Sequence, residues 1–165
     1  MSNKSKMSLE RADEISSEIN RLLEPLTVKQ LTCGSIRRRG NFVGDVDLVV
    51  IPQPLSFPGS IGSRLKSSYD RFEVIKQGPK LMQVIVDGIQ VDIYHSAAKF
   101  WGTHILRWTG SRGHNIKLCT RAQEMGMKLK VSEGLYKGDE LIASMTEESI
   151  FKALMLPFVP PEKRF

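Results

Sequence analysis

Two aspartates stand at the head of an apolar run: Gly44-Asp45-Val46-Asp47 leads directly into Leu48-Val49-Val50-Ile51, and Pro52 and Pro54 follow. A β-branched run of this length, bounded by glycine and proline, reads as a buried strand. Side chains alternate across a strand, so Asp45 and Asp47 share one face while Val46 and Leu48 share the other. Two bare carboxylates this close repel and raise one another's pKa, so they call for a compensating cation. Magnesium suits them, because it prefers oxygen ligands and usually takes only one or two protein carboxylates together with substrate phosphates.

Upstream of this pair, Gly34 and Ser35 open a turn and a short helix, with Gly34 eleven residues before Asp45. The freed N–H groups and dipole of a helix N-terminus suit a phosphate. Arg38, three residues after Ser35 and on the same helix face, adds charge-assisted hydrogen bonds. Taken singly, each part has a plainer reading: Asp-x-Asp as a solvated strand edge, Arg37-Arg38-Arg39 as ordinary surface. Together, a triphosphate cradle ahead of a metal-binding pair has the parts that nucleotidyl transfer requires. The segment resembles the nucleotidyltransferase superfamily, whose signature is a Gly-Ser turn followed by a Gly-Asp-x-Asp strand.

The remainder of the chain reads as alternating helices and strands. Residues 1–7 form a polar tail. From Ser8, a cap, Leu9, Ala12, Ile15, Ile19 and Leu22-Leu23 recur at helical spacing until Pro25. Val28–Cys33 is a short strand into the cradle, and a short helix spans Pro58 to about Lys66, with Arg64 and Lys66 solvated. Asp70–Lys76 and Leu81–Val86 flank the turn Gln77-Gly78-Pro79, and Asp87-Gly88 is a two-residue hairpin signal. In the next strand, Ile89-Gln90-Val91-Asp92-Ile93-Tyr94, Asp92 interrupts an apolar run, as an inward carboxylate facing Asp45 and Asp47 would. Three carboxylates on two strands can hold two metal ions for an in-line displacement. Ala97–Trp108 and Ser111 to about Met125 are helical. Short strands follow near Met127–Val131, Leu135–Tyr136 and Leu141-Ile142, then a helix capped at Thr146, then a proline-rich tail.

Composition bounds the partner. With 24 Lys and Arg against 18 Asp and Glu the net charge is +6, and acids assigned to metal leave the outer surface more basic still. That favours a polyanion. The two cysteines, Cys33 and Cys119, lack metal-ligand spacing, no apolar run reaches the length of a membrane span, and Met1–Met7 is not signal-like. The expectation is an intracellular, soluble protein without membrane contact.

A second motif narrows the resemblance. Arg107-Trp108-Thr109-Gly110-Ser111, then Asn115, then Gly134-Leu135, then Pro160-Pro161-Glu162-Lys163-Arg164 resembles family X DNA polymerases. The likeness runs from about Leu31 to the end. It implies an α+β (mixed α/β) fold: a nucleotidyltransferase palm, residues 1–105, with a mixed sheet flanked by helices, and a small C-terminal α+β domain, residues 106–165, that binds the nascent base pair. Carried over by position, Asp45, Asp47 and Asp92 are the catalytic metal ligands, for two Mg2+ with Mn2+ a substitute. Gly34, Ser35, Arg38 and Gly44 hold the triphosphate, Trp108 and Gly110 line the sugar, and Asn115 reaches the minor-groove edge of the incoming base. Lys117, Arg121, Lys128 and Lys130, with Lys163 and Arg164, are the cations offered to DNA. The implied reaction adds a deoxynucleoside monophosphate to a primer 3′-hydroxyl on gapped or primer-template DNA, by a monomer, in short-gap repair. The alternatives are a minimal nucleotidyltransferase acting on RNA, protein or a small molecule, and a non-catalytic DNA-binding relative. Departures are Gln90 and Tyr94 where arginines are common, Arg107 for an aromatic or glycine, and Cys119 for an arginine that senses closure. Lys117 and Arg121 point away from the Cys119 face, leaving Arg112 to substitute, so poor mismatch discrimination is expected.

Overall fold

The structure, a computed structural model, describes residues 6–54, 58–68 and 71–165, the side chains of residues 58–60, 66 and 68 excepted. It divides into two compact units, Met1–His95 and Ser96–Phe165. The boundary expected after residue 105 would cut the helix Trp101–Thr109, which belongs wholly to the second unit.

The first unit is an α+β layer pair. Its elements are β1 (Met7–Ser8), α1 (Leu9–Leu23), β2 (Thr27–Thr32), α2 (Gly34–Arg37), β3 (Phe42–Val43), β4 (Val46–Pro52), α3 (Pro58–Ser68), β5 (Phe72–Gln77), β6 (Leu81–Val86) and β7 (Ile89–His95). Five strands form one mixed sheet in the order β2-β4-β7-β6-β5, in which β4 and β7 run parallel and every other pair is antiparallel. One face of that sheet is apolar: Val46, Leu48 and Val50 of β4, Val91 and Ile93 of β7 and Met82, Val84 and Val86 of β6 join Ala12, Ile15, Ile19 and Leu23 of α1 and Ile61 and Leu65 of α3 in one core. The alternation therefore sends Asp47 and Asp92 to the face away from this core.

Local signals account for the element ends. The Ser8 hydroxyl accepts from the Arg11 N–H at 3.2 Å, capping α1. Asp87 and Gly88 both take positive φ, 50° and 79°, as a type I′ hairpin turn requires. Asp87 also accepts from Arg11 at 2.7 Å and Arg71 at 2.9 Å, tying α1 to the hairpin. The N-terminal expectation needs correction at one point. Met7 is buried and, with Ser8, pairs antiparallel to Val43 and Phe42, because a methionine beside the α1 apolar stripe gains more from the core than from water. Residues 1–5, and Asp70 at the expected start of β5, lie outside the described residues.

The second unit begins with a 3-10 turn at Ala98–Phe100 and continues as α4 (Trp101–Thr109), α5 (Arg112–Glu124), β8 (Lys128–Lys130), β9 (Gly134–Lys137), β10 (Glu140–Ala143) and α6 (Glu147–Ala153). The three strands form an antiparallel sheet in the order β10-β9-β8. Leu106, Leu118, Ala122, Leu135, Ala143, Ile150, Phe151 and Leu154 make its core. Ser111 caps α5 and Thr146 caps α6. The terminal segment is a folded part of this unit. Arg164 is wholly buried: its Nη1 donates to Glu147 Oε1 at 2.5 Å and its Nε to the Val159 carbonyl at 2.8 Å. Among the described residues no helix is long and apolar enough to cross a membrane.

Candidate active site

The parallel pairing of β4 with β7 places Asp47 directly opposite Asp92, and the antiparallel pairing of β7 with β6 places Gln83 opposite Asp92 in turn. A transverse row, Asp47–Asp92–Gln83, thus crosses three strands on the face turned away from the core. Asp92 is buried, and three neutral groups donate to it. Gln83 Nε2 and Gln90 Nε2 reach Oδ1 at 2.9 and 2.8 Å, and the Tyr94 hydroxyl reaches Oδ2 at 3.1 Å. Burial pushes the Tyr94 phenol far up, and the charges of Asp47, Asp92 and Asp45 add to the effect. All three carboxylates therefore act on one hydroxyl.

Behind the row, Gly34 takes a left-handed φ of 61°, and a Cβ there would collide with the Asp47 carboxylate. Glycine is required on both counts. The Cys33 N–H donates to the Asp47 carbonyl at 2.7 Å, so the cradle turn and the aspartate strand are bonded as one piece. The helix after Gly34 is only the four residues Gly34–Arg37, and Arg38 is its C-cap rather than a member of a continuing face. Burial lowers the Arg38 pKa while Asp47 raises it, which sets this guanidinium beside the aspartate row. Ser35 lies in the same turn, and Gly40 N–H donates to its carbonyl at 2.9 Å. At Gly44, a Cβ would have no described heavy atom within 4 Å, so nothing there demands glycine sterically.

The donor set is all carboxylate oxygen, which suits a hard divalent cation. Among the described residues no three His, Cys, Asp or Glu side chains already close on a common point. The fit rests on the register that sets Asp47 opposite Asp92 on one face of the sheet and on the oxygen chemistry of the donor set.

In the second unit, Trp108, Gly110 and Asn115 lie where α4 meets α5. Asn115 Nδ2 donates to the Arg107 carbonyl at 2.8 Å, and a Cβ on Gly110 would come within 2.5 Å of Asn115 Oδ1. The Arg107 guanidinium stacks 4.5 Å from the Trp108 ring. A small cavity of about 50 Å³ is lined by Arg107, Asn115 and Cys119 among others. Burial raises the Cys119 pKa and the Arg107 charge lowers it. The cation beside Cys119 is thus Arg107, from the preceding helix, rather than Arg112. Its position before Trp108 was visible in the sequence; its reach across to α5 was not.

The expected DNA cations differ in availability. Lys117 and Lys128 are exposed. Arg121 donates to the Leu154 carbonyl at 3.1 Å, Lys130 stands 3.6 Å from Glu133 and 4.2 Å over Tyr136, and Arg164 is buried in its ion pair. Arg164 cannot face a polyanion, since its charge is spent on Glu147.

Residues 104–165 match the family described as DNA polymerase beta thumb. The chain is 26% identical over 156 residues to the DNA polymerase/3'-5' exonuclease PolX of Bacillus subtilis (strain 168), a match covering 91% of this chain and 27% of that protein. It therefore spans about a quarter of the length of that relative. A crystal structure of Leishmania infantum polymerase beta in a ternary P/T complex aligns with TM-score 0.84 at 23% identity, over 98% of this chain and 77% of that one. The ternary gap complex of the same polymerase aligns with TM-score 0.84 at 22% identity, over 97% and 71%. The mixed five-stranded sheet joined to a smaller α+β unit is accordingly a polymerase beta-like fold. Through its thumb segment and its PolX relative, the chain is similar to the family X, DNA polymerase beta-like proteins.

Proposed function

We propose that the protein is a DNA-directed DNA polymerase that adds a deoxynucleoside monophosphate to a primer 3′-hydroxyl and releases pyrophosphate. The observation that carries this reading is the aspartate row: Asp47 registers against Asp92 on neighbouring parallel strands in a chain whose C-terminal segment matches a polymerase thumb. The first unit acts as the palm and the second binds the nascent base pair. In the reaction, the primer oxygen attacks the α-phosphorus and the bond to the β-phosphate breaks. Asp45, Asp47 and Asp92 would hold two magnesium ions, which supply charge neutralisation and a Lewis acid for phosphoryl transfer. Ser35 and Arg38, with the Gly34 turn, bind the leaving phosphates. Asp92, held by its three donors, faces the primer hydroxyl and eases loss of its proton. Trp108 and Gly110 line the sugar, and Asn115 meets the minor-groove edge of the base, where acceptors are shared among the bases.

Gapped DNA, of the kind met in short-gap repair, is the assigned substrate, with the protein acting as a monomer. The ternary gap and P/T complexes of the structurally similar Leishmania infantum polymerase beta support the choice of DNA. The test is extension of a labelled primer on gapped, nicked and single-stranded DNA with one nucleotide at a time. Turnover should be lost in Asp45→Asn, Asp47→Asn and Asp92→Asn proteins that retain native circular dichroism. Loss of such charge stabilisation is worth roughly two decades or more. Extension by Asp92→Asn within about tenfold of wild type would reject the assignment.

A further inference from the structure

The hydrogen bonds at Asp92 are unusual in their charge. This carboxylate is 7% exposed, yet every donor that reaches it is neutral: two amides and a phenol. Among the described residues it forms no ion pair. The two amides also choose one oxygen. Gln83 comes from β6, directly across the ladder, and Gln90 from two places back along β7, and both converge on Oδ1. A carboxylate oxygen has about two lone-pair sites, so Oδ1 is saturated. Oδ2 accepts only from Tyr94 and keeps one site open.

We infer that Gln83 and Gln90 are positioning residues that fix the Asp92 carboxylate with Oδ2 directed to a divalent cation while leaving its negative charge uncancelled. Rotation about the last side-chain bond would swap the oxygens, and it is opposed by two amides anchored on different strands. A cationic donor in either place would fill the same lone pairs but would compete electrostatically with the metal. Neutral donors orient without competing. The orientation of Asp92 is therefore set before DNA or nucleotide arrives, and the free protein binds a divalent ion through Asp92 and Asp47. This inference rests on the proposed metal role of the three aspartates and adds how one of them is held.

The test is binding of Mn2+ alone to the full chain, followed by electron paramagnetic resonance without DNA or nucleotide, with thermal melting as the check on folding. Asp47→Asn locates the binding, and wild type should lose it with that change. Gln83→Met and Gln90→Met keep side-chain length and remove the amide; together they should weaken Mn2+ binding by about 10–100-fold, the usual cost of losing groups that orient a metal ligand. Gln90→Arg keeps donors but adds charge, and it should weaken binding at least as much as Gln90→Met. Restoring Gln83 in the double variant should recover part of the affinity. The inference is overturned if folded wild type binds no Mn2+ at a site sensitive to Asp47→Asn. It is equally overturned if the double variant or Gln90→Arg binds within twofold of wild type. Mn2+ binding that responds as described in a protein that extends no primer would sink the polymerase reading and leave this inference standing. Primer extension with amide-insensitive binding would do the reverse.

Discussion

Replacing Arg164 with alanine should unfold the second unit far more readily than a change at the penultimate residue normally does. The side chain is wholly buried, its partner Glu147 is 3% exposed, and Nη1 and Oε1 are 2.5 Å apart. The guanidinium also lies 5.6 Å from the Phe151 ring and 5.4 Å from that of Phe158. Truncation leaves the Glu147 charge in the interior without its cation, which costs about 3–5 kcal/mol. Lost packing against two rings adds to that. Both tryptophans of the chain, Trp101 and Trp108, lie in this unit, so their fluorescence reports its unfolding alone. With a urea dependence of roughly 1 kcal/mol per molar for so small a unit, the midpoint should fall by about 3 M, or the unit should be unfolded from the start. The double change Arg164→Met with Glu147→Met should recover much of the loss, because apolar groups of similar volume often replace a buried pair without penalty. A midpoint for Arg164→Ala within about 0.5 M of wild type would show that the pair carries no such weight.

Three further outcomes follow from the same geometry. Gly34→Ala, strained by about 1–2 kcal/mol at its left-handed φ and pressed against Asp47, should cut primer extension far more than it lowers the melting temperature; comparable small losses in both would contradict the Gly34–Asp47 contact. Arg107→Ala should lower the ratio of matched to mismatched insertion efficiency by about tenfold, or roughly 1.4 kcal/mol, and Cys119→Arg should add little to wild type because a cation already stands there; an unchanged ratio in Arg107→Ala would remove Arg107 from base-pair sensing. His114 is buried, and burial first, then the Arg164 charge, lower its pKa below 6.5. A histidine depressed on folding takes up its proton more readily when unfolded, so stability is retained above about pH 6.5 and falls as pH drops through that value, by up to about 1.4 kcal/mol per unit. Tryptophan-monitored melting between pH 7 and pH 5 should show this slope, and His114→Phe should flatten it.

Much of the fold was legible because its signals are local. The stripe from Leu9 to Leu23, the Asp87-Gly88 turn and the apolar run after Asp47 each declare an element within a few residues. Asp92 was legible as a partner of Asp47 because a carboxylate interrupting an apolar strand needs a reason. The convergence of Gln83 and Tyr94 on Asp92 was not legible, since it depends on the β6–β7 register and on a shared face, neither of which a linear pattern specifies. Arg164 misled for the opposite reason. In a short Glu-Lys-Arg ending it reads as a solvated charge, and only the tertiary position of Glu147 on α6 turns it into a buried one. Met7 was read from its polar neighbours, whereas its own side chain and the distant Val43 decide its place.

The parallel pairing of β4 with β7, the one such pairing among the described residues, also has a kinetic consequence. β5, β6 and β7 are joined by two short turns, and such hairpins close in microseconds, as local contacts do. β2 and β4 likewise meet within one short stretch of chain. Joining these halves brings Val46–Val50 to Val91–His95, a long-range closure whose entropic cost is met before its contacts reward it. That closure is also the event that sets Asp47 beside Asp92. In a refolding experiment, then, secondary structure should return ahead of the aspartate row, and the recovery of primer extension should time the zipping of one pair of strands.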